Sequence, residues 1–574
     1  MEYNKGTGIS EKFIFELAEE GERRKINMES AKPPMFEDLL DTVGHFGLYQ
    51  IRIYLILTFM DVSNSQCMLF YVFGNVVPDW TCLAYEGFGN VSSLLNATNS
   101  SLSNATDPFK GLCKYEGAKC EAFHYDGRLK TIVTEWDLVC DKSYVAPLTS
   151  SLLMAGVLVG AFSCGQIADM FGRKKIIITV CAMQMLCQIS IGFANPWQVY
   201  AALRFLTGFF VGGSLMLCFT IPVEFIGPKW RTFVGALGFF GFGLCLLTLW
   251  AWILPDWRHQ AFASGSSTLI LIPLAIFWVP ESVRWLIQKG RFDEAEEIIV
   301  EMAKVNKKPV PKLALLREIA QLTSEEEASK HSYNYLDLFR TRDNAIRTVI
   351  MMFVWLSSST LYYGIGAQLV NLFGNMYINT IVGAITSMPI SWTVIPVANW
   401  MGRKKAYLGY VACPCLGLIV ILILAGTGGS EKYPVLITVL ALICLSGANA
   451  SWALATTYSG ELFATLIRNI AIGAFSVAAR VGGIIAPQFA YLGEIFHWTV
   501  PYIIYAILSI GSTIGVLVAL PETNGEPLPE EVFSRHSDTK FLPQSAVVPT
   551  EMESDESIDS GHHTDSGYAE TEHV

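Results

Sequence analysis

Apolar residues run in stretches of roughly twenty, broken by short polar joints, and this rhythm organises the chain. Such stretches lie near 51–73, 146–168, 176–194, 197–220, 233–254, 260–279, 345–365, 377–399, 406–426, 433–455, 467–490 and 500–519. Each is long enough to cross a ~30 Å hydrocarbon core as a helix. The alternation of a barrel strand is absent, and backbone in lipid must bond internally, so the predicted elements are helices. Six precede a charged interval and six follow it. The expected class is an all-α membrane protein of twelve transmembrane helices in two six-helix bundles. Its parts are a polar segment 1–45, a first bundle 46–279 with a loop 74–145, a linker 280–344, a second bundle 345–520 and a tail 521–574.

The second bundle repeats the first. Gly165-Gln166-Ile167-Ala168-Asp169-Met170-Phe171-Gly172-Arg173-Lys174-Lys175 returns as Ala398-Asn399-Trp400-Met401-Gly402-Arg403-Lys404-Lys405. Glu224 and Arg231 are seven residues apart, as are Glu461 and Arg468, and Pro280-Glu281-Ser282 is echoed by Pro521-Glu522-Thr523. Three pairs in one order at nearly one offset mark a duplicated bundle, the construction many transporters use for alternating access.

Composition supports this reading: 52% of residues are hydrophobic and 16% charged, less charge than a soluble chain carries. Segment 1–45 is polar, so no cleavable signal opens the chain and the first span serves as an uncleaved anchor. Basic residues gather at Arg173–Lys175, at Lys229 and Arg231, and at Arg403–Lys405, which places those joints, both termini and the linker in the cytoplasm. The net charge of −11 says little about partners, because the tail after Pro521 is acidic. Loop 74–145 then lies outside. It holds glycosylation sequons at Asn90, Asn96, Asn99 and Asn104, and cysteines at Cys82, Cys113, Cys120 and Cys140, enough for two disulfides with three pairings open. A further sequon at Asn449 falls inside a span and reads as chance.

In the linker, Asp293 with Glu296 reads as a capping box ahead of an apolar face of Ala295, Ile298, Ile299 and Met302, and a second short helix is expected over 313–322. The tail from about 524 is rich in Ser, Asp, Glu and Thr and is expected to be disordered. Its last residues, Glu572-His573-Val574, resemble an acidic PDZ ligand.

The loop 165–175, its copy, and Pro280-Glu281-Ser282-Val283-Arg284-Trp285-Leu286 resemble the major facilitator superfamily. Within it, the long first outer loop, the run Thr131–Cys140, Tyr458-Ser459-Gly460-Glu461-Leu462-Phe463 with Arg468-Asn469, and Leu520–Pro529 are similar to the organic cation/anion/zwitterion transporter family of solute carriers, over residues 35–535. The carnitine/organic cation subgroup is nearest. The resemblance implies the major facilitator fold and cytoplasmic charge contacts that break as the inner gate opens. Asp169, Arg173, Glu224, Arg231, Arg403, Glu461 and Arg468 are the gating candidates, with Glu–Arg pairs latching the bundles together. Asn399 departs from the pattern, which has an acid there, so the second latch is expected to be weaker.

Arg480 lies mid-span, where a charge is costly and faces a cavity or a partner. The family's cation carriers have an acid at the matching position and its anion and carnitine carriers a base. Arg480 therefore implies a carboxylate-bearing substrate, gripped by a planar guanidinium. Ser391 stands where anion carriers have a second base. One Arg amid rings suits a zwitterion, its ammonium against Tyr362, Tyr363 and Phe240 or Phe242. Asn64 and Gln184 are similar to polar positions of the carnitine carriers, Asn64 lying near substrate or a coupling Na+. Gln368, a further candidate, and Ser214-Leu215 depart from that subgroup.

The resulting expectation is a plasma-membrane carrier of small organic ions, foremost a carnitine-like zwitterion or organic cation, with Na+ as coupling ion. An organic anion exchanger is the second reading and a receptor or channel the third. Nothing resembles an enzyme's nucleophile–base pair, a metal cluster or a nucleic-acid site. Partners are the substrate, the bilayer and a PDZ protein.

Overall fold

A computed structural model describes residues 36–86, 89–90, 110–115, 117–227, 230, 239–311, 316–317 and 334–525. Eleven of its helices are long and apolar enough to cross a membrane, and a shorter apolar one, Phe240–Ile253, stands in the fifth place. In chain order they are α1 Leu48–Leu69, α2 Val145–Phe171, α3 Arg173–Ile191, α4 Trp197–Phe225, α5 Phe240–Ile253 and α6 Trp257–Trp278. The second six are α7 Arg342–Gln368, α8 Met376–Met401, α9 Arg403–Gly426, α10 Pro434–Leu462, α11 Thr465–Ile495 and α12 Val500–Ala519. These helices are apolar nearly all round, as helices packed between lipid and one another must be. Small residues let them approach closely. A Cβ on Gly160 of α2 would lie 1.8 Å from the Phe209 carbonyl of α4, so only glycine permits this crossing.

Joints α2–α3 and α8–α9 lie at the basic end. Each turns on a glycine, Gly172 at φ 105 and Gly402 at φ 92, a conformation that a side chain strains. At the opposite end stands a small antiparallel sheet of β1 Trp80–Tyr85, β2 Gly89–Asn90, β3 Lys114–Tyr115 and β4 Ala118–Tyr125, in order β2-β1-β4-β3. Cys82–Cys120 and Cys113–Cys140 are the disulfides, which selects one of the three pairings. Closing loops of this size typically stabilises by about 2–4 kcal/mol each. The sequons at Asn96, Asn99 and Asn104 lie outside the described residues, and Asn90 ends β2.

The run Thr131–Cys140 ties this sheet to the first six helices. Thr131 caps the short helix Ile132–Trp136 and its hydroxyl donates to the Val76 carbonyl at 2.9 Å. Glu135 accepts from Trp257 Nε1 at 2.7 Å and from Arg258, whose guanidinium also donates to the Gly192 and Ala194 carbonyls. Asn75 donates to Ala146 O, Thr149 and Ser150 and accepts from the Tyr200 hydroxyl at 3.1 Å.

Helix Phe292–Asn306 of the linker buries Ala295, Ile299 and Met302 as expected. The capping box is not formed: Arg291 is the N-cap, no side chain caps the helix, and Asp293 lies inside its first turn. Asn306 instead pins the helix to the start of α1, accepting from Tyr49 N at 3.1 Å and donating to Gln50 Oε1 at 2.9 Å. Of the second linker helix, only residues 316–317 are described, and they are helical. The tail beyond 525, including the PDZ-like end, lies outside the described residues.

Candidate functional site

Arg480 occupies the middle of α11, half-buried. Its Nε is buried with no hydrogen-bond partner among the described residues. Two glycines bring this stretch close to its neighbours: Gly482 faces the Leu356 carbonyl of α7, and Gly483 faces Met154 of α2 and the Tyr363 ring. A cation held there with an unsatisfied donor is costly in an apolar bundle unless a ligand completes it.

Tyr362 and Tyr363 are adjacent rings with centroids 5.3 Å apart, and both meet Trp452 of α10 edge-on at 5.9 and 5.8 Å. Trp452 was not picked out from sequence, where one tryptophan in an apolar span looks like packing. Phe240 joins the same cluster, packing against the core that holds Tyr363, Met154 and Ala486. Phe242 does not: it is 49% exposed and packs on Phe239. Of the two phenylalanine candidates, then, the helix phase of α5 delivers one.

On the first bundle, α1 contributes Asp61, whose Oδ1 accepts from Asn64 Nδ2 at 3.3 Å. Asn64 is 1% exposed and its Oδ1 has no partner among the described residues. An acid in the middle of the first span was visible in the sequence and should have been singled out on the same ground as Arg480. The same holds for Arg204 of α4, fully buried, donating to Cys67 O at 3.0 Å and lying 5.5 Å over Phe70. Gln184 of α3 is buried inside the first bundle, with neither amide atom given a hydrogen-bond partner among the described residues.

Gln368 sits elsewhere. It ends α7, accepts from Asn371 Nδ2 at 3.3 Å and lines a cavity of about 1000 Å³ near the sheet-bearing end. Ser391 of α8 accepts from Asn449 Nδ2 at 2.8 Å, so the place of a second base is taken by a neutral hydrogen-bonded pair.

At the basic end the candidate gating residues form two related clusters. In the first, Arg173 meets Asp169 at 2.9 Å and Glu224 at 3.3 Å, while Glu281 accepts from the backbone N–H of Arg173 at 2.7 Å and of Lys174 at 3.2 Å. In the second, Arg403 meets Glu461 at 3.0 Å, and Glu522 accepts from Arg403 N at 2.6 Å. Asn524 supplies the side-chain oxygen to Arg403 that Asp169 supplies to Arg173. A carboxylate at a helix N-terminus satisfies orphan N–H groups and complements the dipole. Burial raises the Glu522 pKa, but the N–H groups of Arg403, Asn524, Thr523 and Lys404 outweigh it and hold the carboxyl below its ordinary value.

Among the described residues, Glu224 and Glu461 pair with arginines of their own bundle. Arg231 lies outside the described residues, and Arg468 donates to the Phe463 carbonyl at 3.4 Å. The bundles meet along α5 and α8, where Gly241 packs against Met388, and hydrogen-bond each other toward the sheet-bearing end. Ser151 Oγ donates to Ile484 O at 2.6 Å and accepts from Gln488 at 3.0 Å, Ser143 meets Tyr491 at 3.3 Å, and Phe73 stacks on Tyr377 at 5.8 Å.

Residues 93–532 match the family model described as "Sugar (and other) transporter". The chain is 31% identical over 528 residues to the "Organic cation transporter protein" of Drosophila melanogaster, covering 87% of this chain and 94% of that protein. It is 33% identical over 417 residues to the human "Organic cation/carnitine transporter 2", covering 71% and 72%. Among solved structures, a partially occluded, inward-open form of the E. coli xylose transporter XylE is similar in fold, with TM-score 0.57 and 15% identity over 84% of this chain and all of that one.

Proposed function

Because the chain belongs to the major facilitator superfamily and, within it, to the organic cation/carnitine transporters of the solute carriers, we propose that it carries small zwitterionic organic ions across the plasma membrane. The carboxylate of a carnitine-like substrate docks on Arg480. Its ammonium sits against Tyr362, Tyr363 and Trp452, facing Asp61. The observation that carries this reading is the buried, unpartnered Nε of Arg480 on a stretch of α11 that packs at Gly483 against the Tyr363 ring of the Tyr362–Tyr363–Trp452 cluster, with an acid, Asp61, in mid-span α1 of the first bundle. A site with one charge of each sign favours a dipolar ligand over a simple cation or anion, and the neutral Ser391–Asn449 pair disfavours a dicarboxylate.

Alternating access then rocks the bundles about this site, with the sheet outside, the basic loops and both termini inside, and the Ser151–Ile484 contacts closing the outer path. The unpartnered Asn64 Oδ1 beside the Asp61 carboxylate offers hard oxygen donors of the kind Na+ takes, which supports sodium coupling.

The test is uptake of labelled carnitine, tetraethylammonium and a dicarboxylate, each in sodium and in N-methylglucamine medium. Carnitine uptake should dominate and fall without sodium. Arg480→Lys keeps the charge but loses the fork, and should raise the apparent KM for carnitine about tenfold at unchanged surface abundance. Arg480→Ala at the surface with unaltered carnitine affinity would end the reading.

A further inference from the structure

Arg204 of α4 has no part in the site proposed above. It is 0% exposed, and its one hydrogen bond among the described residues runs from Nη1 to the Cys67 carbonyl at 3.0 Å. The guanidinium lies 5.5 Å from the Phe70 ring centroid, and no carboxylate pairs with it among the described residues. Its Nε and Nη2 are buried with no hydrogen-bond partner there. Those two N–H groups point the same way, along the edge by which a guanidinium grips an anion side-on. A guanidinium keeps its proton, so titration cannot relieve the charge. Burying it unpaired is costly.

The neighbouring helices bring more polar groups to the same level. Cys181 of α3 meets Met60 Sδ of α1 at 3.9 Å and Ser214 Oγ of α4 at 3.4 Å, which sets the three helices against one another. Two turns toward the sheet-bearing end, seven residues on along α1 and α3 and seven back along α4, lie Cys67, Gln188 and Thr207. The bond from Arg204 to the Cys67 carbonyl falls at that level. Thr207 stands one turn from Arg204 on the same face, 0% exposed, and its hydroxyl has no partner among the described residues. Gln184 lies between the two levels on α3, its amide N–H groups equally without an acceptor there. Gln188 Nε2 meets the Ser264 hydroxyl of α6 at 3.0 Å. Either end of that amide can bond a hydroxyl, so the other end is free to turn to the same space.

We propose that this layer of the first bundle holds a small monovalent anion, of which chloride is the commonest. The Nε–Nη2 edge of Arg204 is its main partner, with the Thr207 hydroxyl and the Gln184 amide as further donors. Arg204, Thr207, Gln184, Gln188, Cys67 and Phe70 are all at most 1% exposed, so the place suits a single ion and not a substrate-sized carboxylate. One positive charge matches a halide better than sulfate or phosphate. A metal cation would meet the guanidinium as a like charge. Water would bond the N–H groups but leave the guanidinium without a counter-ion. Arg480 stands on the other bundle, and this site does not depend on which substrate is carried.

The experiment is thermal unfolding of the purified full-length protein in nanodiscs while chloride replaces gluconate at constant ionic strength. Wild type should gain about 2–4 °C in Tm as chloride rises from roughly 1 to 150 mM, and bromide should substitute for it. Arg480→Ala should keep the gain, because the ion does not sit at the substrate site. Arg204→Gln should abolish it. Thr207→Val keeps the shape but loses the hydroxyl, and should raise the half-saturating chloride concentration about fivefold. No halide-dependent gain in wild type, or loss of the gain in Arg480→Ala, would overturn the proposal. Should Arg204→Gln fail to fold, Thr207→Val and Gln184→Leu decide, and wild-type chloride dependence in both overturns it. Failure of the carnitine reading would show instead in Arg480→Ala uptake, which this assay does not measure.

Discussion

The two basic-end clusters share one plan and differ in one component. In both, a glycine at positive φ starts a helix whose first N–H groups are capped by a carboxylate from the segment after the sixth or twelfth span, Glu281 or Glu522. In both, the arginine next to that glycine pairs with a glutamate of its own bundle. The first cluster adds a charged partner from the preceding span, Asp169. The second has Asn399 there, and brings in Asn524 from beyond α12. A missing charge is thus replaced by a neutral hydrogen bond from a different part of the chain. What the duplication retains is the geometry of the turn; what it lets vary is the electrostatics around it.

The largest expected effect tests the shared part. A Cβ on Gly172 would lie 2.5 Å from Glu281 Oε2, and one on Gly402 2.5 Å from Glu522 Oε2. Gly172→Ala and Gly402→Ala should each cost about 2–3 kcal/mol from backbone strain and displacement of the cap. Thermal unfolding of the purified protein checks this, and an unaffected Gly402→Ala would break the parallel. Next, Glu281→Gln and Glu522→Gln remove the charge of the cap but not its shape. Each should cost about 1 kcal/mol and lower transport similarly in both halves.

A smaller and asymmetric effect separates the clusters. Asp169→Asn should reduce uptake by about threefold at unchanged surface abundance, because an exposed ion pair is worth little but its loss unbalances the gate. Asn524→Ala should do less, and Asn399→Asp should restore the loss by supplying the acid the first half has. Raised salt should weaken the first cluster more than the second. If Asp169→Asn fails to reach the surface, the residue serves folding and not gating.

The smallest effect is a pH dependence. The Glu522 carboxyl is held below its ordinary value in the folded chain, so its contribution is complete at pH above the unfolded value and lost as pH falls through the depressed one. Unfolding temperature measured from pH 6 downward should therefore fall more in wild type than in Glu522→Gln, which has no such carboxyl to protonate.

The spans, the duplication and the family motifs were legible in the chain, because lipid demands long apolar helices and a repeat writes itself twice. The outer disulfides were legible as a set but not as pairs, since spacing alone leaves three connectivities; the β1–β4 pairing sets Cys82 opposite Phe123, and it is the disulfide's Cα–Cα distance of 5.9 Å that joins it to Cys120. Arg480 was found because a mid-span charge is conspicuous; Asp61 and Arg204 carried the same signal and were passed over. Trp452 could not be found so, because a ring in an apolar span has no distinctive sequence neighbourhood.

What the amino-acid sequence determined by itself is therefore whatever depends on local chemistry: span length, the positive loops, glycine at the two turns and an isolated charge in an apolar run. The tertiary structure decided which partner each of those groups has. Glu224 and Glu461 turn back to arginines of their own bundle, Gln368 lands at the outer cavity, and Phe242 leaves the ring cluster while Phe240 joins it. Such pairings depend on helix phase and crossing between segments far apart in the chain. A charge in a membrane is costly wherever it stands, but only packing determines what relieves the cost.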